Sequence, residues 1–204
     1  MERVLRGIYM EEEKNLIVIE KTKEKNTKKR LSRVQLYFLY FLIFSIIGWI
    51  AETFYSLYEL GHFTKRGFLF GPLCPIYGWG AIILIIFFSK YKNHSAKLFI
   101  YSAVIFSIFE YVVSYGMDAL FASQWWDYTN EFFNLNGRIS IFYSIVWGIA
   151  AILFVNHIYP YIKKKFNLVL SKIPYSVQIW TLRISFAILL FDNIMSFAKY
   201  LVRF

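Results

Sequence analysis

The sequence predicts an all-α fold: a polytopic membrane bundle of about five transmembrane helices, with the N-terminus inside and the C-terminus outside. Three observations carry this. The 204 residues are 58% hydrophobic and 22% aromatic, which is more apolar than a water-soluble domain. Long apolar runs recur, each near the about 20 residues that a spanning helix needs. Lysines and arginines gather at alternate connections between the runs, and the positive-inside rule reads that asymmetry as orientation.

Residues 1–33 come first. Lys21, Lys23, Lys25, Lys28, Lys29, Arg30 and Arg33 make this a basic cytoplasmic tail, expected to be disordered or to lie along lipid headgroups. Its charged part is too long for a secretory signal. Residues 34–204 form the transmembrane domain.

The first span covers 36–57. Ser45, Gly48 and Glu52 share one helical face there, and small residues on a face let a second helix approach. Next comes Arg66-Gly67-Phe68-Leu69-Phe70-Gly71-Pro72-Leu73-Cys74-Pro75-Ile76-Tyr77-Gly78-Trp79-Gly80. Its glycines and prolines forbid regular helix throughout, yet it is almost free of polar side chains. Irregular backbone at membrane depth persists only where protein covers it or where it lines a wet cavity, so this segment is the expected wall of a site. The second span, 72–89, is the shortest and reads as a full crossing or as a half-helix after re-entrant backbone.

The third span, 98–120, carries Ser107, Glu110, Ser114 and Asp118 on one face. In the loop that follows, Trp125, Trp126 and Tyr128 suit a membrane interface, and residues 134–138 read as a turn. The fourth span is 139–159. The fifth, 174–197, carries Ser185, Asp192 and Ser196 on one face. Three greasy helices with single polar stripes imply stripes that point inward. A weak internal repeat also runs through the chain: Glu52, Arg66-Gly67 and Gly78-Trp79-Gly80 are echoed by Glu110, Gly137-Arg138 and Trp147-Gly148.

Lys90, Lys92 and Lys97 join spans two and three, and Lys163, Lys164, Lys165 and Lys172 join spans four and five. The net charge of +10 is therefore a matter of topology and of contact with anionic membrane lipids, and no nucleic-acid partner is expected. The carboxylates after Arg33 avoid the cytoplasmic loops, which points to a polar site in the outer half of the membrane.

The expected binding residues are Glu52, Arg66, Glu110, Arg138 and Asp192. A carboxylate within a span costs at least about 2.5 kcal/mol on insertion scales, so it has a function or a partner. Either the five line a cavity that binds a ligand, or the arginines neutralise the carboxylates and pin loops onto helices. Tyr77, Trp79 and Trp147 stack on a ligand or serve as packing. No metal site is expected, because His62, His94 and His157 are scattered and Cys74 stands alone. No cofactor motif occurs, and without a P-loop any ATPase must be a separate ATP-binding subunit.

The pattern Ser45-x-x-Gly48-Trp49-x-x-Glu52 followed by Arg66-Gly67-Phe68-Leu69-x-Gly71-Pro72-x-Cys74-Pro75-Ile76-Tyr77-Gly78-x-Gly80 resembles the ABC-transporter permease family called type IV, or CmpB-like. Residues 133–139, Ser144-x-x-Trp147-Gly148 and Asp192-x-x-x-Ser196 are similar as well. The resemblance implies a bacterial, multi-pass protein of the cell membrane, and the family's motif positions fall on Glu52, Arg66, Arg138 and Asp192. The expected function is the membrane (permease) subunit of a transport system for an unknown small-molecule or lipid ligand, working as a homo-oligomer or hetero-complex. Two alternatives stay open: an integral membrane enzyme acting on a lipid or envelope substrate at the outer leaflet, and a non-catalytic assembly or sensing protein.

Overall fold

The computed structural model describes residues 30–202, so nearly all of the basic tail expected over 1–33 lies outside the described residues. From Arg33 the chain is helical. Helix α1 (Arg33–Leu60) ends where Gly61 enters the left-handed region at φ +69° and its N–H caps the Leu57 carbonyl at 3.1 Å. Helix α2 (Pro75–Ile83) starts with proline in its first turn, where the missing N–H costs nothing, and runs on through a widened π-turn, Leu84–Phe88, and a tight turn, Ser89–Tyr91. Helix α3 is Ser95–Phe121.

A two-residue antiparallel pair follows, β1 (Asn134–Leu135) with β2 (Ile139–Ser140). Ser140 then caps helix α4 (Ile141–Leu153) by accepting the Tyr143 N–H. A second π-turn, Phe154–Ile158, leads without a break into α5 (Tyr159–Lys172). Pro160 lies just after this widened turn, where the loosened ladder tolerates a residue with no N–H. Helix α6 (Tyr175–Leu201) closes the domain, and Gln178 Nε2 donates to the carbonyls of Leu170 and Ile173 across the α5–α6 corner.

The protein is an all-α multi-pass membrane bundle. Four rods are long and apolar enough to cross a membrane: Arg33–Leu60, Ser95–Phe121, the continuous 32-residue Ile141–Lys172, and Tyr175–Leu201. The apolar helix Pro75–Tyr91 is shorter. The fourth rod thus extends well past the end expected near 159, because Lys163, Lys164 and Lys165 continue a helix instead of forming a loop.

Two helix pairs make the frame. In the first, α2 lies against α1. The Cys74 N–H donates to the Ser45 carbonyl at 3.0 Å, Tyr77 covers Gly48, and Gly78 sits against Phe41 and Ser45. Ser45 lies halfway along α1, so residues 61–74 lead back from the end of α1 to its middle, a depth of about 22 Å at 1.5 Å per residue. Helix α2 therefore starts level with the middle of α1 after irregular backbone that turns back along α1, the re-entrant segment, at the Gly/Pro entry. In the second pair, α4 lies against α3, with Gly148 on Phe99 and the Ser107 and Ser144 hydroxyls 2.6 Å apart.

Each pair consists of a long helix, an irregular segment with a glycine-adjacent arginine, and a second helix that loosens into a π-turn. Between the pairs, Phe44 packs on Phe154 at 4.8 Å and Tyr77 faces Trp147 at 6.3 Å. Helix α6 joins through Phe38 with Phe186 and through Phe197 with Phe121. Phe68, in the re-entrant segment, sits in a cluster with Phe121, Trp125, Phe197 and Tyr200 and fastens that segment to α3 and α6.

Candidate functional site

The polar stripes do point inward: Ser45, Glu110, Ser114 and Ser196 are all buried. Three polar clusters result, and the five sequence-predicted residues divide among them.

Asp192 of α6 holds backbone. Its carboxylate accepts the Phe70 N–H at 2.7 Å and the Gly71 N–H at 2.8 Å, and Ser196 donates to it at 3.1 Å. A Cβ on Gly71 would lie 2.9 Å from Asp192 Oδ2, so glycine is what admits the carboxylate. Among the described residues Asp192 has no arginine partner. It anchors the re-entrant segment by supplying the acceptors that irregular backbone lacks at membrane depth.

Arg138 forms an ion pair with Asp118 at 2.6 Å, donates to Ser114 Oγ at 3.1 Å, and lies over the Tyr115 ring. Its carbonyl accepts the Trp126 indole N–H. Here the pinning role holds: one arginine ties the β-hairpin to α3. The Arg138 side chain is 11% exposed and that of Asp118 38% exposed, so the pair is partly screened. A double-mutant cycle of Arg138→Gln and Asp118→Asn should give a coupling of about 1 kcal/mol in thermal unfolding. Strict additivity would remove the pinning role.

The third cluster lies between the helix pairs. Tyr77 donates its hydroxyl to Glu52 Oε1 in a short bond that joins α2 to α1. Tyr128, from the loop after α3, donates to Glu110 Oε1 at 3.3 Å and stacks on Tyr143 of α4 at 4.2 Å. The Tyr77 and Trp147 rings are 6.3 Å apart. The two halves face each other across that ring contact. Glu110 is 4% exposed, and the Trp147 indole N–H faces the same carboxylate as the Tyr128 hydroxyl, whereas the buried Arg66 Nε has no hydrogen-bond partner.

Glu52, Glu110, Tyr77 and Trp147 therefore come together. Arg66 borders them and acts with Glu52 on Cys74, although it makes no ion pair among the described residues. Trp79 does not join the site. It is 56% exposed on the outer apolar surface and packs edge-on against Phe41. Tyr128 and Tyr143 were not legible in the sequence. Tyr128 reads there as an interface anchor, and only the inward fold of its loop brings it to Glu110.

No group of three or more His, Cys, Asp or Glu among the described residues is placed to hold a metal ion. Cys74 is buried and unpaired. A family model described as "Putative ABC-transporter type IV" matches residues 39–197, well over half of the chain. No curated protein and no solved structure matches it.

Proposed function

Because the chain belongs to the family described as "Putative ABC-transporter type IV", we propose that it is the membrane subunit of a transport system and that the Glu52–Tyr77 and Glu110–Tyr128–Trp147 cluster is its substrate site. One observation carries the assignment of the site: two glutamates lie between two helix pairs bonded to tyrosine hydroxyls and to no cation, with the buried Arg66 Nε at their border unpartnered. A purely structural cluster would pair them, as it does at Arg138 and Asp192.

The lysine-rich ends of α2 and α5 lie away from the re-entrant segment, whereas Lys199 of α6 lies over its Phe70. With the positive-inside rule, this supports a site in the half of the membrane that faces outward, in the cell membrane. Transport energy then comes from a separate ATP-binding subunit, with α1–α6 in a homo-oligomer or hetero-complex. The enzyme reading has less support, since the two carboxylates each face a tyrosine and no activated nucleophile stands beside them.

Affinity purification of the native complex in mild detergent, followed by mass spectrometry, tests the reading. The expected result is a stoichiometric partner with a P-loop, retained in Glu110→Gln. A clean homomer would remove the transport assignment.

A further inference from the structure

We infer that Lys65 and Lys199 form a headgroup site for one anionic phospholipid at the end of the bundle where α1 and α6 finish, with an acyl chain lying along α6. The assignment goes beyond the proposed function. It concerns a second site, separate from the Glu52–Glu110 cluster and independent of any ATP-binding subunit.

Two ammonium groups converge on one ring. Lys65 lies just past the end of α1, and Lys199 lies in the last turn of α6. Their nitrogens sit 4.5 Å and 5.0 Å from the centroid of Phe70, and Lys199 also lies over Tyr200 at 5.3 Å. Phe70 is itself fixed, because Asp192 and Ser196 both accept its N–H. Like charges from distant parts of the sequence are thus held together, and neither has an ion pair among the described residues. The carboxylate beside them, Asp192, brings one charge against two and already takes the Phe70 and Gly71 N–H groups. Partial burial, and then the Lys199 charge, hold the Lys65 ammonium below the usual lysine range, while Asp192 acts the other way. An added phosphate relieves that repulsion, and lysine binds phosphate as a point charge.

The surroundings point to a lipid as the source of the phosphate. Leu60 and Leu201, the last residues of two spanning helices, are both about half exposed, so the lysines lie level with lipid headgroups. On α6, Met195, Phe191, Ile188 and Ile184 run back from Lys199 at helical spacing, and all four are exposed. Only 11% of the α6 span is buried inside the bundle, the smallest share of the four rods, so this stripe faces hydrocarbon. The stripe leads from the ammonium pair into the membrane, as an acyl chain does below its phosphate. A free phosphate would use the lysines and leave the stripe idle. A zwitterionic lipid brings its own ammonium and leaves the pair uncompensated.

The test uses the purified full-length chain in nanodiscs and a phosphatidylglycerol that carries a photoactivatable group in its acyl chain. Peptide mass spectrometry reads labelling of residues 184–195 as the fraction of this lipid is raised. Half-maximal labelling should come at a lower lipid fraction than with a phosphatidylcholine of the same chain. Lys65→Gln or Lys199→Gln alone should weaken the phosphatidylglycerol response about fivefold. The double variant should lose little more, because one headgroup engages both lysines. Lys65→Arg should retain the response. So should Lys164→Gln with Lys165→Gln, which removes exposed charge from α5.

Equal labelling by the two lipids overturns the inference, and so does an unchanged response in a double variant that elutes as the parent does. Losses that multiply in the double variant would mean two separate surface charges and no shared headgroup. Displacement of the label by soluble glycerol phosphate would assign the lysines to a free phosphate. Cross-linking of the stripe to a second copy of the chain would make this face a protein interface. If the lipid labels as expected and no ATP-binding subunit copurifies, the transport reading falls and the lipid site stands.

Discussion

Gly78→Val should abolish accumulation of the folded protein, and Gly78→Ala should lower its thermal stability clearly, while Gly116→Ala leaves it unchanged or slightly raised. A Cβ on Gly78 would lie 2.7 Å from both the Phe41 carbonyl oxygen and the Phe41 ring, and would collide with Ser45 Oγ. The carbonyl belongs to the α1 backbone and cannot turn away. Relief requires α2 to move off α1, which would break the contact of Tyr77 with Gly48 and the bond of Tyr77 to Glu52. Overpacking of this kind costs about 1–3 kcal/mol for a methyl and more for a branched side chain. Gly116 has open space where its Cβ would go, so alanine there contributes helix propensity, about 1 kcal/mol, without a clash. The check is the apparent melting temperature by fluorescence-detected gel filtration, with Gly116→Ala as the internal standard. Equal behaviour of the two alanine variants would disprove the close-packed α1–α2 contact.

The contrast between these glycines shows where sequence reasoning reached and where it stopped. The spans were legible because insertion into lipid demands long apolar runs, and the runs predicted over 36–57, 98–120 and 174–197 became α1, α3 and α6. The Gly/Pro segment was legible as irregular backbone at depth because its composition permits neither helix nor solvated loop. The extension of the fourth rod to Lys172 was hidden, because lysines mark the edge of a membrane but do not end a helix. The partners of the charges were hidden too. Counting arginines against carboxylates gives two pairs in the outer half, yet only Arg138 pairs, and with Asp118. Asp192 serves backbone N–H groups 121 and 122 residues away, a contact that no local spacing encodes.

The repeated order of parts explains why the site lies where it does. Each helix pair brings one tyrosine in the first turn of its second helix, Tyr77 in α2 and Tyr143 in α4, toward the glutamates of α1 and α3. The polar cluster forms at the seam, where the π-turns of both second helices lie close together and Phe44, Phe106 and Phe154 close the floor.

That seam depends on a single carboxylate outside it. Asp192→Ala should release the re-entrant segment, with Cys74 as the built-in reporter. In the native protein Cys74 is 4% exposed and is the only cysteine, so maleimide labelling should be slow. Removing the Asp192 carboxylate leaves the Phe70 and Gly71 N–H groups without their charged acceptor, and Ser196 Oγ, 3.2 Å from the Phe70 N–H, can replace only part of it. Each donor orphaned at membrane depth costs about 1–3 kcal/mol, so an opening equilibrium that shifts by about 3 kcal/mol raises the labelling rate on the order of a hundredfold. Asp192→Asn keeps one acceptor and should fall between. Ser196→Ala should have the smallest effect, because the carboxylate remains. The order Ala, Asn, Ser196→Ala in labelling rate distinguishes a loop anchor from a ligand-binding charge. A binding role alone would leave Cys74 as slow to react in Asp192→Ala as in the parent protein.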